Sequence, residues 1–304
     1  MNLTEIKIKN EIIKSPLNYI GGKYKILSQI LPLFPNKINT FVDLFAGGCN
    51  VGINVKANKV IFNDNLIYLI DFFRTIQEKD LEITLNHIKN RINEFGLSIT
   101  NETAYKEFRN YYNKTQKPLD LFVLIAFSFN HQIRYNNNHQ FNNPFGKNRS
   151  SFNPNMQHNL EKFIVKLKTI NAEFTNNNFD EFDFNLLNQN DFIYADPPYL
   201  ITTGTYNDGK RGFTGWSIKQ EKQLLEILKL LDKRNIKFAL SNVIEHKGKT
   251  NHLLIDWIKT NKFTINYINK NYANSNYQTK NREKKSSIEV LVTNYKPYKP
   301  PTLF

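Results

Sequence analysis

The sequence predicts an α/β fold: one open, largely parallel sheet with helices on both faces, carrying a mainly helical insertion. Three observations lead there. Phe192–Ala195, in "NDFIYADPPYL", is a continuous apolar run of the kind buried on both faces of a parallel sheet. "TFVDLFAGG" and "KVIFNDN" read as two strands separated by "CNVGINVKA", a stretch long enough for a short helix, and so open a βαβ pattern. In "SIKQEKQLLEILKLLDKRN", Leu224, Leu225, Leu228 and Leu231 recur at helical spacing behind a Ser217/Gln220 capping box, and a further apolar strand, "IKFALSN", follows.

Taken in order, the first strand starts at Thr40 and ends near Asp43, and the second ends on Asn63 and Asp64. From Asp71 to Asn185 the pattern changes. Helical stretches are expected around residues 78–95, 101–113 and 118–130, leading into "RYNNNHQFNNPFGKNRSSFNP", whose Asn, Pro and Gly favour a hairpin or long loop. The strand at 192–195 must end where Pro197 and Pro198 remove two ladder donors. Near the end, "FTINYI" and "SIEVLVTNY" read as an antiparallel closing pair.

A chain of 304 residues can bury a large core, and the expectation is one sheet with an addition to it. One cysteine excludes an internal disulfide or a cysteine-built metal site. His131, His139 and His158 lack metal-ligand spacing, so no metal is expected. No apolar stretch reaches membrane-spanning length and no signal-type segment precedes the first strand, so a cytoplasmic protein without a membrane partner is expected. The net charge of +14 suits a polyanionic partner, with basic residues gathered in "NREKKSS" and "NYKPYKP". Charge alone does not decide this, because the abundant Asn, Lys, Ile, Phe and Tyr all have codons rich in A and T.

The chemistry sits at strand ends. Asp196 stands at the carboxyl end of a central strand, where open α/β sheets bind ligands. "FVDLFAGGCNVG" invites comparison with G-x-G-x-x-G, yet Cys49 occupies the middle glycine position, which weakens a dinucleotide reading. Asp43 and Asp64 on successive strand ends suit a nucleoside with an amino-acid tail: Asp64 for the ribose hydroxyls, the Gly47–Gly48 turn for the tail. The glycines at 21–22 and 47–48 suggest two loops converging on one ligand.

"LNYIGGKYKIL", "FVDLFAGG", "FNDN", "RYN...FNNPFG" and "ADPPY", in that order, resemble the Dam-type DNA adenine-N6 methyltransferases (D12 class, alpha group), and "SIEVLVTNY" is similar to that group's closing strand. The resemblance runs from about Ser15 to Tyr295. It implies a Rossmann-like methyltransferase sheet, with residues 1–75 and 172–304 as the catalytic domain and 76–171 as the target-recognition insertion. It implies S-adenosylmethionine as methyl donor. On matching positions, Tyr19 and Lys23 would lie near the donor, Asp43, Phe45 and Gly47 would shape its methionine side, and Asp64 would hold its ribose. Where the family has an acidic residue before a phenylalanine against the donor's adenine, this chain has Asn178 before Phe179.

The resemblance also explains why a strand should stop on Asp-Pro-Pro-Tyr. An adenine amine is a weak nucleophile because its lone pair is delocalised into the ring. Hydrogen bonds from its N–H groups to the Asp196 carboxylate and the Pro197 carbonyl favour a more tetrahedral nitrogen, and Tyr199 would stack on the flipped base. No protein nucleophile is needed, and the lone cysteine lies in the glycine loop, away from any covalent route to cytosine carbon. In the insertion, Arg134 would take a guanine edge, Asn136 or Asn142 an adenine edge, Tyr135 and Phe141 would wedge into the stack, and Lys147 and Arg149 would meet phosphate.

The implied partner is duplex DNA, with GATC as the expected site, and a restriction endonuclease acting on the same site fits a bacterial or phage setting. Three rival readings stand beside this one. Cytosine-N4 methylation uses the same amine chemistry, but its motif more often begins with Ser than with Asp. RNA adenine methylation predicts no separate insertion carrying "RYN". A catalytically silent DNA-binding protein predicts no retained cofactor loop.

Overall fold

The computed structural model describes residues 11–202, 216–269 and 287–297; most of the basic stretch "NREKKSS" and the last residues of "NYKPYKP" lie outside them. Strands β1 (Thr40–Asp43), β2 (Lys59–Asn63), β3 (Ala172–Thr175), β4 (Phe192–Ala195) and β5 (Lys237–His246) run parallel. A two-residue strand β6 (Lys249–Thr250) folds back on β5, and β7 (Thr264–Ile268) and β8 (Ile288–Thr293) complete the sheet. The order is β3-β2-β1-β4-β5-β8-β7, with β8 antiparallel to both neighbours, as expected for the closing pair. The chain moves outward from β1 to β3 and then returns to place β4 on the other side of β1. The carboxyl ends of β1 and β4 therefore flank the topological switch point, the crevice that such sheets use for ligands.

Helices α1 (Leu27–Ile30), α2 (Ile67–Glu78), α3 (Leu81–Phe95), α4 (Glu102–Thr115), α5 (Pro118–Phe127) and α6 (Pro154–Leu167) precede or interrupt the first half of the sheet. Helices α7 (Ile218–Lys233) and α8 (His252–Asn261) flank β5 in sequence. Leu224, Leu225, Leu228 and Leu231 of α7 and Leu254 of α8 are buried with Val42, Ile193, Phe238 and Val292 in one hydrophobic cluster. A second cluster joins Phe41, Val60 and Phe62 to α2, α5 and α6. Every residue of α5 from Leu119 to Phe127 is buried, the pattern of a helix enclosed on all sides. The helices of the insertion thus share a continuous core with the sheet.

The Ser217/Gln220 capping box forms as expected: Gln220 accepts the Ser217 backbone N–H, and the Ser217 side chain takes the N3 donor. Several expectations are revised. The β1–β2 connection holds a single 3-10 turn, Gly52–Asn54, in place of a short helix. Asp43 Oδ2 takes the Gly52 N–H, and a Cβ at Gly52 would sit 2.4 Å from the Phe62 ring, so the segment is pulled flat against β2. Helix α2 runs through residue 75 to Glu78, α3 begins at Leu81, and β3 opens at Ala172. The helix expected to reach 130 ends at Phe127, because Ser128 is extended and Asn130 and His131 adopt positive φ. The hairpin region carries two antiparallel bridges, Ser128 with Phe145 and Tyr135 with Phe141.

Candidate active site

Two loops build a cradle at the carboxyl ends of β1 and β2. The Asp64 carboxylate accepts the Gly47 N–H on Oδ2 and the Leu66 N–H on Oδ1, both at 2.9 Å, which ties the glycine turn to the end of β2. Gly47 has φ +48°, and a Cβ there would lie 2.7 Å from the Tyr19 ring, so only glycine passes beneath that side chain. A Cβ at Gly22 would come within 3.3 Å of the Asn50 amide, and one at Gly48 within 3.4 Å of the same group. The glycine pairs at 21–22 and 47–48 do converge. Burial raises the Asp64 carboxyl above its ordinary range while the two N–H donors pull it back. For Asp43, burial dominates and pushes the pKa up to about 7.

Asp196 lies just beyond β4, half-buried, with Pro197 buried and Pro198 exposed. Its Oδ2 is 2.7 Å from Lys23 Nζ, and its Oδ1 accepts from the Tyr199 hydroxyl at 3.1 Å. The same hydroxyl lies 3.1 Å from Ser241 Oγ on β5 and 3.1 Å from Glu289 Oε1 on β8. Lys23 is almost wholly enclosed, donates to the Gly21 carbonyl at 2.9 Å, and stands 3.8 Å from Glu289 and 5.0 Å from the Tyr199 ring centre. Burial raises the Asp196 carboxyl; the Lys23 ammonium and the Tyr199 hydroxyl oppose the rise, and Glu289 adds to it. The carboxylate is therefore braced on both oxygens, with some surface left to solvent.

An aromatic cluster flanks the cradle. Phe45 stacks on Phe179 with centroids 5.6 Å apart, and Trp216 meets both rings, at 5.7 and 5.3 Å. The Asn63 side chain fastens this corner: its amide donates to the Leu44 and Asn177 carbonyls at 3.1 Å, and its oxygen accepts from Thr175 Oγ1. Asn178 is exposed, and its side-chain amide donates to Glu181.

The nucleic-acid candidates fare unevenly. Tyr135 and Phe141 are buried, which removes them as wedges: the Tyr135 ring stacks on Tyr68 at 4.4 Å, its hydroxyl meets that of Tyr112, and Phe141 packs edge-on against it. Asn136 spends its side-chain oxygen on the Asn138 and Gln140 N–H groups, so that oxygen shapes the turn and is not held ready for a base edge. Arg134 and Asn142 face each other across the bridge region, where the Asn142 N–H donates to the Arg134 carbonyl. Arg134 Nε and Asn142 Oδ1 are buried polar atoms with no hydrogen-bond partner among the described residues. Lys147 and Arg149 are exposed, and the Arg149 guanidinium rests over Phe129.

Sequence reasoning passed over Ser241, Glu289, Trp216 and the Asn63 hub. Glu289 had a signal: it is the lone charge inside the apolar run "SIEVLV". Asn63 and Ser241 are polar residues on buried strand positions, a weaker sign.

The family model of the D12 class N6 adenine-specific DNA methyltransferases matches residues 19–288. The chain belongs to that family. Its sheet is accordingly that of an S-adenosylmethionine-dependent methyltransferase. This D12-class chain is 55% identical over 296 residues to the modification methylase StsI of Streptococcus sanguinis, covering 97% of this chain and 45% of that protein. It is 53% identical over 289 residues to the type II methyltransferase M.FokI of Planomicrobium okeanokoites, covering 95% of this chain and 44% of that one. With the DNA adenine methylase of Escherichia coli K12 it shares 27% identity over 231 residues, 74% of this chain and 79% of the other. The chain thus spans less than half the length of the two modification methylases. Among the described residues, no group of three or more His, Cys, Asp or Glu side chains is placed to hold a metal ion, and no helix is long and apolar enough to cross a membrane.

Proposed function

We propose that this D12-class chain transfers a methyl group from S-adenosylmethionine to the N6 amine of an adenine flipped out of duplex DNA. The observation that carries the reading is the braced Asp196 carboxylate at the switch point, beside a glycine cradle that ends on Asp64. The residues present fit the donor. The Gly47 turn passes beneath Tyr19 without a side chain of its own, Asp43 fixes that turn through Gly52, Asp64 offers carboxylate lone pairs to a ribose, and the Phe45–Phe179 corner suits a purine, which moves Phe45 away from the methionine side where the resemblance set it. When bound, S-adenosylmethionine supplies an electrophilic methyl on a sulfonium centre.

The remaining work falls to the protein. Asp196 and the Pro197 carbonyl accept the two amine N–H bonds and hold the nitrogen lone pair toward the donor. Lys23 keeps Asp196 ionised and aimed, because a buried carboxylate without a cation would take up a proton and stop accepting. The Tyr199 hydroxyl anchors that ring beside the carboxylate, which leaves the ring to pack against the base. Catalysis of this kind is orientation and charge placement, and it needs no protein nucleophile. We assign DNA recognition to the insertion, residues 76–171, with Arg134 and Asn142 reading bases and Lys147 and Arg149 on phosphate. The unpartnered Arg134 Nε and Asn142 Oδ1 support this, since a buried polar group without a partner is costly unless a ligand satisfies it.

The test is incubation with isotopically labelled donor and duplex DNA, RNA or no nucleic acid, followed by nucleoside mass spectrometry. Labelled N6-methyladenine from duplex DNA is the expected product. N4-methylcytosine would replace the base, labelled RNA the substrate, and no product despite DNA binding would leave a binding protein. Asp196→Ala should give no product while still binding the donor in calorimetry. Cleavage protection by the methylated product would identify a restriction endonuclease sharing the site.

A further inference from the structure

Glu221 is a fully buried carboxylate with no part in the reading above. It lies in the first turn of α7, and its Oε2 accepts the Trp216 indole N–H at 2.6 Å. Its Oε1 takes the side-chain amides of Asn242 on β5, at 3.1 Å, and Asn251, the N-cap of α8, at 3.4 Å. Burial pushes its pKa up and the three donors oppose the rise. A buried indole N–H needs an acceptor, but a backbone carbonyl or a glutamine would satisfy it at lower desolvation cost. The carboxylate instead holds one end of Trp216 with a short, charge-assisted bond. The other end of the indole packs against Phe45 and Phe179.

The three rings stand at the strand end that carries Asp64. Phe45 lies two residues beyond Asp43, and Phe179 belongs to the loop whose Asn176 amide donates to the Asp64 carbonyl at 2.8 Å. Phe45 and Phe179 are stacked with centroids 5.6 Å apart, so no flat group fits between them and one must lie on the outside of the cluster. Phe45, the half-buried ring, supplies that face. Its tilt is set by Phe179 on one side and Trp216, edge-on at 80°, on the other.

We infer that Glu221 is a positioning residue of the donor site: through Trp216 it fixes the Phe45–Phe179 aromatic wall on which the donor's purine lies. This rests on the methyltransferase reading. It assigns purine recognition partly to α7, β5 and α8, which carry none of the donor residues named above.

The chain has two tryptophans, so in a Trp257→Phe background the emission reports on Trp216 alone. Saturating S-adenosylhomocysteine, which keeps the purine and lacks the methyl, should quench or shift that emission. Glu221→Gln should weaken S-adenosylmethionine and S-adenosylhomocysteine alike, by about ten-fold, with Glu221→Ala worse. Affinity for duplex DNA without donor should stay unchanged. A merely structural role would lower the melting temperature while leaving donor affinity of the folded variants intact, and that result overturns the inference. So does unmoved Trp216 emission while calorimetry registers binding, a readout that survives even if the Glu221 variants do not fold. Failure of the wild-type chain to bind either ligand would overturn the functional reading itself, and this inference with it.

Discussion

Lys23 Nζ lies 2.7 Å from Asp196 Oδ2, so a lysine from the glycine loop ahead of the first strand clamps the carboxylate at the end of the fourth. The resemblance had set Lys23 beside the donor. Its contacts put it against Asp196, the carboxylate we propose for the target amine, enclosed between Asp196, Glu289 and the Tyr199 ring.

Replacing Lys23 with Met should therefore change the pH dependence of transfer as well as its rate. Burial already raises the Asp196 carboxyl, and Lys23 is the first group opposing that rise. Without the cation, Asp196 protonates at higher pH and stops accepting the amine hydrogen. The acidic limb of the single-turnover profile should move to higher pH. An unchanged limb with a lower plateau would assign Lys23 to donor binding alone.

Asp64→Ala should weaken donor binding by about 1.5–3 kcal/mol, the loss of a charge-assisted hydrogen bond. The Gly47 and Leu66 N–H groups lose their acceptor too, so the melting temperature should fall with it. DNA affinity, measured by fluorescence anisotropy, should barely change. Normal donor affinity in the variant would move the ribose contact elsewhere.

Asp43 makes a prediction about stability. Its pKa is raised from the ordinary 3.8 to about 7, so across that interval the folded state holds a proton that the unfolded chain has released. Stability from this group is therefore highest at low pH, declines as pH rises through the window, and levels off above about 7. Asp64, Asp196 and Glu221, also raised, act in the same direction. Denaturant titrations at successive pH values should show a shallower decline for Asp43→Asn than for the wild type. Parallel curves would contradict it.

The proposed recognition segment predicts two separable kinds of contact. Arg134→Ala should relax preference at one base position, at a cost of roughly 1–3 kcal/mol in discrimination. Lys147→Ala should weaken binding to every sequence and flatten the salt dependence, the mark of a phosphate contact. Sequencing methylated adenines from a host without its own methylation reads the target directly. GATC is the first site to check, and methylation scattered without a motif would remove base reading from this segment.

The strands and their ends were legible in the sequence because buried parallel strands are short, wholly apolar and punctuated by glycine, proline or acid. Phe192–Ala195, buried at every position, is the clear case. Strand β3 was not legible: "AEFT" lies at the sheet edge with one buried side chain, so nothing in its composition marks it. Helix α2 was blurred because it runs without a break through residue 75, where the first part of the catalytic domain was expected to end, to Glu78. The aromatic residues of "RYNNNHQF" read as DNA wedges from their surroundings, since a polar, turn-rich segment predicts exposure. Tyr68 and Tyr112, on two helices distant in sequence, instead supply the surface that buries Tyr135.

What the amino-acid sequence determined by itself was the order of the motifs and the placing of Asp43, Asp64 and Asp196 at strand ends, because the pattern that stops a strand is local. What only the tertiary structure decided was the company each acid keeps. Glu289 reaches Tyr199 because β8 inserts antiparallel beside β5, and Trp216 reaches Phe45 because α7, which follows it, is buried in one cluster with Val42 of β1 and Phe179. Those pairings depend on strand order and helix packing, which minimise exposed apolar area over the whole chain, and no short stretch of residues carries that information.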